Sequence, residues 1–168
     1  NNSVYYGANG YSAKIDYNVT TAGSSSGYFE ELGGYPSFSL TDLTGYEGFR
    51  FWIKGDAASG FTTKLYVQFS DDTWDKQLFE VTNITSDWKE IWVDLSNKTN
   101  PEVDWTKIRQ ISLVFKNSHA TTAQGAVYLD DLRLIDKDNI PLETKTVSGD
   151  TQVLIKWKEV TANGLQGY

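Results

Sequence analysis

Apolar and polar residues alternate along several short stretches of this chain. In the segment YEGFRFWIKGD, Phe49, Phe51 and Ile53 fall on one side of an extended backbone, and the residues between them fall on the other. Alternation with period two is typical of a strand that buries one face. The same pattern recurs in four further stretches, Lys64–Ser70, Trp88–Leu95, Arg109–Lys116 and Val127–Ile135.

The spacing of these stretches predicts an all-β chain. Almost no window shows a helical stripe, and about eight or nine short strands are separated by loops rich in Gly, Ser, Thr and Asp. The pattern favours a two-sheet antiparallel β-sandwich of the jelly-roll type, like a galactose-binding domain. The exception is Asp104–Lys107, where we expect one helical turn with Asp104 as its cap.

Composition narrows the range of partners. The net charge is −7, with 22 acidic and 15 basic residues and no basic run, so nucleic acid and anionic membranes are poor partners. No apolar run is long enough to cross a membrane. The absence of cysteine excludes disulfides, thiolate metal sites and cysteine nucleophiles. Neutral polymers and bound cations remain possible.

Aromatic residues are abundant, with six Trp, ten Tyr and eight Phe. Because one small sandwich cannot bury all these rings, those on the polar faces of strands are candidates for ligand contact. Stacking on rings and hydrogen bonds to planar polar groups are how proteins bind sugars.

The pattern breaks at Asp136–Pro141, which divides the chain into a module over 1–138 and a remainder over 139–168. In the remainder, QVLIKW and GLQGY resemble the start of a fibronectin type III domain. The remainder is therefore a linker with either an extra strand or a truncated following domain. Since an unpaired strand edge is unfavourable, we expect Val153–Trp157 to pair with the sandwich or with a neighbouring molecule.

Six segments over Gly10–Asp136 carry a family resemblance, namely GYSAKIDY, GYEGFRFWIKGD, KLYVQFSDD, WKEIWVDLS, DWTKIRQISLVF and VYLDDLRLID. In this order they resemble non-catalytic carbohydrate-binding modules of the β-jelly-roll type, nearest to family 11 and its relatives in families 4, 16, 22 and 30. Such modules begin with an acidic-Phe-acidic strand that has no counterpart here. Either that strand is cut off, or Gln152–Trp157 takes its place in the sheet.

The resemblance implies a binding sheet built from the strands at Tyr28–Leu32, Lys64–Ser70, Gln77–Thr82 and Arg109–Lys116. It also implies a sugar-stacking role for Tyr28, in its Gly-Tyr context, and polar contacts on the strand of Ser112. Glu30 follows Tyr28 by two residues, so its carboxylate is expected on the same side to accept sugar hydroxyls.

Alternation adds further residues to this candidate site. It places Tyr66 and Gln68 on the outward face of one strand, and Gln110 and Lys116 beside Ser112 on another. We expect the rings of Tyr28 and Tyr66 to lie side by side as open platforms in the groove, with the amides between them. Trp74 lies in the acidic turn near the end of the expected groove. For each of them the alternative is the ordinary surface of a strand.

Four tryptophans and the single histidine are left outside the candidate site. A structural role is expected for Trp52, Trp88, Trp92 and Trp105, and His119 falls in a loop.

A structural calcium site is the one cofactor that the resemblance implies. Asp130, in the Asp130–Asp131 pair, matches an acidic residue that often binds calcium in such modules, and calcium prefers six to eight oxygen ligands. The usual N-terminal acidic partner is missing. The alternative is a bulge that carries two solvated carboxylates.

The predicted function is non-catalytic binding of a β-linked polysaccharide, a β-glucan or mannan, in a groove. We expect a monomeric module of a secreted bacterial protein that carries a glycosidase domain in the same polypeptide. One alternative is a protein-interaction sandwich that binds no sugar. The other is a small catalytic jelly roll, although the sequence holds no nucleophile elbow, phosphate loop or histidine-rich motif.

Overall fold

The structure, a computed structural model, describes residues 4, 6, 11–32, 40–136, 143–146 and 153–156. These residues contain ten strands: β1 (Ala13–Asn18), β2 (Ser25–Glu31), β3 (Tyr46–Gly55), β4 (Leu65–Asp71), β5 (Lys76–Val81), β6 (Lys89–Asp94), β7 (Ile108–Lys116), β8 (Gln124–Asp136), β9 (Glu143–Thr146) and β10 (Val153–Lys156). The described part contains no helix long and apolar enough to cross a membrane.

Eight strands form two four-stranded sheets with all neighbours antiparallel. One sheet has the order β1-β8-β3-β6, and the other has the order β2-β7-β4-β5. The predicted all-β, two-sheet sandwich is therefore confirmed. The second sheet contains the four strands that the family resemblance assigned to ligand binding.

The core lies between the sheets and follows the predicted alternation. Phe51 and Ile53 of β3 and Val67 and Phe69 of β4 have no exposed surface. Their outward neighbours Trp52, Lys54 and Gln68 are partly exposed. Burying large aliphatic and aromatic side chains contributes roughly 1.5–3 kcal/mol each, so this shared interior fixes which face of each strand is left for a ligand.

The expected helical turn at Asp104–Lys107 is a tight turn instead. The Lys107 N–H donates to the Asp104 carbonyl at 2.9 Å, which closes a single turn. The Asp104 carboxylate accepts from the Thr106 N–H at 3.0 Å and from the Thr106 hydroxyl at 2.6 Å. Asp104 thus caps the segment as expected, but no helix continues from it.

The predicted strand at Gln152–Trp157 forms as β10, but with a different partner. It pairs with β9 in a separate two-stranded sheet, from Val153 opposite Thr146 to Lys156 opposite Glu143. Of the two alternatives for the missing first strand, the one in which Gln152–Trp157 takes its place in the sheet is therefore wrong for the described residues. The boundary at residue 138 and the likeness to a fibronectin domain stay predictions.

Candidate functional site

Most of the predicted site residues lie on the outer surface of sheet β2-β7-β4-β5. Core residues of β4 and β7 point inward, so the residues between them point outward. The register sets Gln68 opposite Ser112 and Ser70 opposite Gln110. We call this surface the polar face, and define it by Tyr66, Gln68, Ser70, Lys76, Glu80, Gln110, Ser112 and Lys116.

Amide and hydroxyl groups occupy the centre of the polar face. The Ser112 hydroxyl donates to Gln110 Oε1 at 2.9 Å, and Gln68 Nε2 donates to the Ser70 hydroxyl at 3.1 Å. Gln68 Oε1 and Gln110 Nε2 have no hydrogen-bond partner among the described residues. Both side chains line an open depression of about 280 Å³. The centre therefore offers one acceptor and one donor group to a ligand.

Tyr66 lies at one end of the polar face and is not a bare ring. The His119 ring stacks on it with centroids 4.2 Å apart, and His119 Nδ1 lies 3.3 Å from the Tyr66 hydroxyl. The Lys116 ammonium is 5.0 Å from the ring centroid, and Glu80 lies 3.3 Å from His119 Nε2. The predicted open platform at Tyr66 is thus corrected to a packed cluster.

His119 is the residue of this cluster that sequence reasoning missed. It follows β7 in a loop, and no periodicity assigns a face to a loop residue. The sequence did contain one signal: His119 follows Lys116, a residue of the polar face, by three positions. A short turn at Lys116 brings the chain back over the neighbouring strand.

Trp74 lies at the opposite end, at the tip of the β4–β5 hairpin. Its side chain is 48% exposed, and its backbone is left-handed with φ of 70°. A bulky residue with positive φ is uncommon, because the Cβ crowds the backbone. The Arg109 guanidinium lies 4.6 Å from the indole centroid, within the range of a cation–π contact. The hairpin thus holds a half-exposed indole in a costly conformation.

Asp71 holds this hairpin turn together. Its buried carboxylate accepts from the N–H groups of Thr73 and Asp75, each at 3.0 Å, and from the Asp104 N–H at 2.9 Å. Burial alone raises the pKa of Asp71. The hydrogen bonds from Asp104 and Thr73 outweigh it and hold that pKa below the ordinary value. The ionised carboxylate therefore fixes the turn that carries Trp74.

Tyr28 is on the inner side of β2 and Tyr66 is on the outer side of β4, so the expected pairing of the two rings is wrong, although Tyr28 borders the depression lined by Gln68. The register sets Tyr28 opposite the core residue Leu113, and Tyr28 packs against the core. Glu30 occupies the equivalent position opposite Ile111, and Phe29 is the residue opposite Ser112. In the segment GYFEEL, alternate residues give each face of the strand one aromatic and one acidic side chain, so the sequence does not show which face is buried. A shift of one residue in the register exchanges the two faces.

The described residues around Asp130 do not fit the calcium site that the resemblance implied. Its carboxylate accepts from the N–H groups of Tyr6 at 2.9 Å and Asp131 at 2.7 Å. Arg50 lies 3.4 Å from the Asp131 carboxylate, which also pairs with Arg133. N–H groups and guanidinium groups cannot bind a cation. No group of three or more acidic, histidine or cysteine residues among those described could hold a metal ion.

The alternative interpretation of the acidic pair describes this region better. The register between β3 and β8 shifts between Arg50 and Trp52, so β8 carries a bulge there. Asp131 has a left-handed backbone with φ of 50°, and a bulge permits this conformation. Its carboxylate is bound to arginine rather than solvated as expected.

The other tryptophans differ in how far they are covered. Trp105 is buried in the core as expected. Trp52 is covered by Tyr6, which stacks on it at 3.6 Å, and Trp88 meets the edge of Tyr6. Trp92, expected to be structural, is 49% exposed on the outer side of sheet β1-β8-β3-β6.

Comparison with known proteins identifies the family of the chain. The family model for carbohydrate binding domain 30 matches residues 1–136. The chain belongs to this family. Family 30 modules are non-catalytic carbohydrate-binding modules, so the predicted class of protein is confirmed. Family 30 was one of the predicted relatives, although the segments had put family 11 first.

Solved structures support the fold. The chain is similar to the crystal structure of a family 30 carbohydrate-binding module, with 16% identity, 82% of this chain and 71% of that chain covered, and a TM-score of 0.57. It is also similar to an exo-β-agarase structure, with 12% identity, 76% of this chain and 22% of that chain covered, and a TM-score of 0.53. No curated protein matches the chain.

Proposed function

We propose that the polar face binds a single β-linked polysaccharide chain, a β-glucan or mannan, laid along β4 and β7. The main support for this proposal is the conformation of Trp74. Its indole is half-exposed at the end of the polar face, and its backbone is left-handed. Uncommon backbone conformations persist where the surrounding structure enforces them, and they are concentrated at functional sites. Here the buried Asp71 enforces the conformation.

The chemistry of the face suits a neutral sugar chain. The Trp74 ring stacks on the apolar face of one sugar, and Gln68, Gln110 and Ser112 hydrogen-bond hydroxyls of the next ones. Tyr66 and Asp71 are five residues apart on β4, or about 17 Å along an extended strand. This distance is longer than one sugar ring. The net charge of −7 disfavours acidic polysaccharides.

We further propose that the module acts within a secreted bacterial glycoside hydrolase. Binding would hold the catalytic domain near its substrate through a raised effective concentration. The exo-β-agarase structure supports this arrangement, because this chain covers only 22% of that chain. A monomer suffices for this role, since the polar face lies within one chain.

Affinity electrophoresis through gels that contain β-glucan, mannan or xylan tests the proposal. The wild type should be retarded by β-glucan or mannan, and W74A should lose at least tenfold in affinity, which equals about 1.4 kcal/mol. Y11A is the matched control, because Tyr11 is an aromatic residue outside the polar face and is 78% exposed.

The outcomes separate the alternatives. Retardation that W74A and Y11A leave equally intact would contradict the polar face as the site. A wild type that no polymer retards would favour a protein-interaction domain. Release of reducing sugar by the isolated chain would establish a catalytic jelly roll.

A further inference from the structure

Trp92 is a second half-exposed indole, on the sheet opposite the polar face. It lies on β6, the edge strand of sheet β1-β8-β3-β6, and its neighbours Ile91 and Val93 are buried in the core. Its side chain therefore points outward. Its exposed fraction of 49% matches the 48% of Trp74.

Gly48 lets the Trp92 indole lie against the sheet. A Cβ atom built on Gly48 would collide with Cζ2, Cη2 and Cε2 of the indole. The six-membered ring thus occupies the space above Gly48 that a side chain would fill. One side of the ring rests on the backbone and the other faces solvent, which is the arrangement that stacking on a sugar needs.

Two depressions meet at Trp92. One, of about 370 Å³, lies toward β5 and is also lined by Thr82 and Glu90. The other, of about 570 Å³, is also lined by Glu47 and Lys98. Asp94 lines both depressions. A chain that crosses the indole would therefore have space on both sides of it.

Fixed polar groups border the indole. The Asp94 carboxylate accepts from the Ser96 N–H at 2.8 Å and from Asn97 Nδ2 at 2.9 Å, which fixes its orientation. Glu90 pairs with Arg50 at 3.4 Å, and its side chain is 45% exposed. Asp94, whose hydrogen-bond donors are neutral, therefore keeps lone pairs for sugar hydroxyls, whereas Glu90 is already paired with an arginine.

Trp52 on the same outer surface shows that an indole here can be covered. Tyr6 stacks on Trp52 at 3.6 Å, with the planes inclined by 13°. No aromatic ring among the described residues stacks on Trp92 in this way. Trp92 is thus the ring of this surface that is left open between two depressions.

We propose that Trp92 is the centre of a second carbohydrate-binding site, which takes a neutral β-linked hexose chain across β6. The site lies on the sheet opposite the polar face, and its residues do not depend on that face. A module with both sites would be bivalent and would bind polymers by avidity.

Titration calorimetry with cellohexaose and with β-1,4-mannohexaose tests the second site. The wild type should bind two equivalents of one of these oligosaccharides. W92A and W74A should each bind one equivalent, and the double variant should lose binding. Y11A controls for the loss of an exposed ring, and unchanged thermal unfolding confirms that each variant is folded.

Each outcome is decisive for the second site. One equivalent bound by the wild type and unchanged in W92A would overturn the site at Trp92 and leave the polar face intact. One equivalent lost in W92A but retained in W74A would support the site and overturn the proposed function of the polar face. Binding of neither oligosaccharide by the wild type would overturn the site at Trp92.

Discussion

The outer surfaces of the two sheets use their polar residues in different ways. On sheet β1-β8-β3-β6, charged side chains neutralise one another, as in the contacts of Lys14 with Asp56 at 3.0 Å and of Arg50 with Asp131 at 3.4 Å. On the polar face, neutral amides and hydroxyls bond along their own strands, as Gln110 does with Ser112. We call the first surface the paired face.

This difference indicates which groups a neutral ligand can use. A charged side chain in an ion pair can contact a ligand only if it leaves its partner, and this separation costs free energy. An exposed amide that bonds to one neighbour keeps a second donor or acceptor for a sugar hydroxyl. Trp92 is the exception on the paired face, because its indole is exposed between two depressions and is open to a neutral ligand.

Replacement of one carboxylate on each face should show the largest difference between the two surfaces. We expect D71A to lower the free energy of unfolding by about 3 kcal/mol, because it leaves several N–H groups without their charged acceptor. It should also weaken retardation in β-glucan or mannan gels as much as W74A does, since the turn of Trp74 depends on it. D131A, on the paired face, should cost less than D71A, about 1–2 kcal/mol, because its ion pairs are partly exposed and alanine fits the left-handed backbone poorly. It should leave retardation intact.

Urea unfolding of both variants, together with gel retardation, measures these effects. A D71A protein that unfolds at the wild-type midpoint would contradict the role given to the buried turn. Loss of retardation in D131A would contradict the separation of the two faces.

The amides should have an intermediate effect that is confined to binding. Removal of both amide groups in the double variant Q68A/Q110A should weaken binding roughly tenfold or more, since each hydrogen bond contributes about 1 kcal/mol. The melting temperature should hardly change, because both side chains lie on the surface. Titration calorimetry with the oligosaccharide that the wild type binds provides the measurement, and unaltered affinity would exclude these amides from the site.

Acid should weaken the paired face through Asp56. Hydrogen bonds from Lys14 and Ser59 lower the pKa of Asp56 from 3.8 to about 2. Because the pKa is lower in the folded state, the pair stabilises the fold above about pH 4, and this contribution is lost as the pH falls toward about 2. D56N should therefore be less stable than the wild type near neutral pH, and the difference should shrink at low pH. A difference that grows with acid would reverse this assignment.

Calcium should have the smallest effect. The donors around Asp130 are N–H groups and arginines, so added calcium or a chelator should leave the melting temperature unchanged. Differential scanning calorimetry provides the test. A rise of several degrees with calcium would restore the predicted metal site.

Periodicity predicted the fold well because the core requires it. Phe51, Val67 and Phe69 are buried as their alternation requires, and Gln68 and Ser112 lie together on the outward side. In a long alternating strand, only one register places all the apolar residues on the buried face. Within β2 the sequence allows two phases, and the prediction that Tyr28 faces outward corresponds to the phase that the structure does not adopt.

Contacts between distant segments could not be predicted from the sequence. The stacking of His119 on Tyr66 and of Tyr6 on Trp52 depends on where loops return, which the local pattern does not encode. The exposure of Trp92 depends on Gly48 in the neighbouring strand. Such features can be predicted only when the register between neighbouring strands is known.

A sugar chain bound on the polar face should lie beside Trp74. A titration followed by ¹H–¹⁵N NMR with cellohexaose or β-1,4-mannohexaose tests it most directly. We predict that the Trp74 indole N–H and the side-chain amides of Gln68 and Gln110 shift with ligand and saturate together. Saturable binding that leaves these three signals in place would contradict the account.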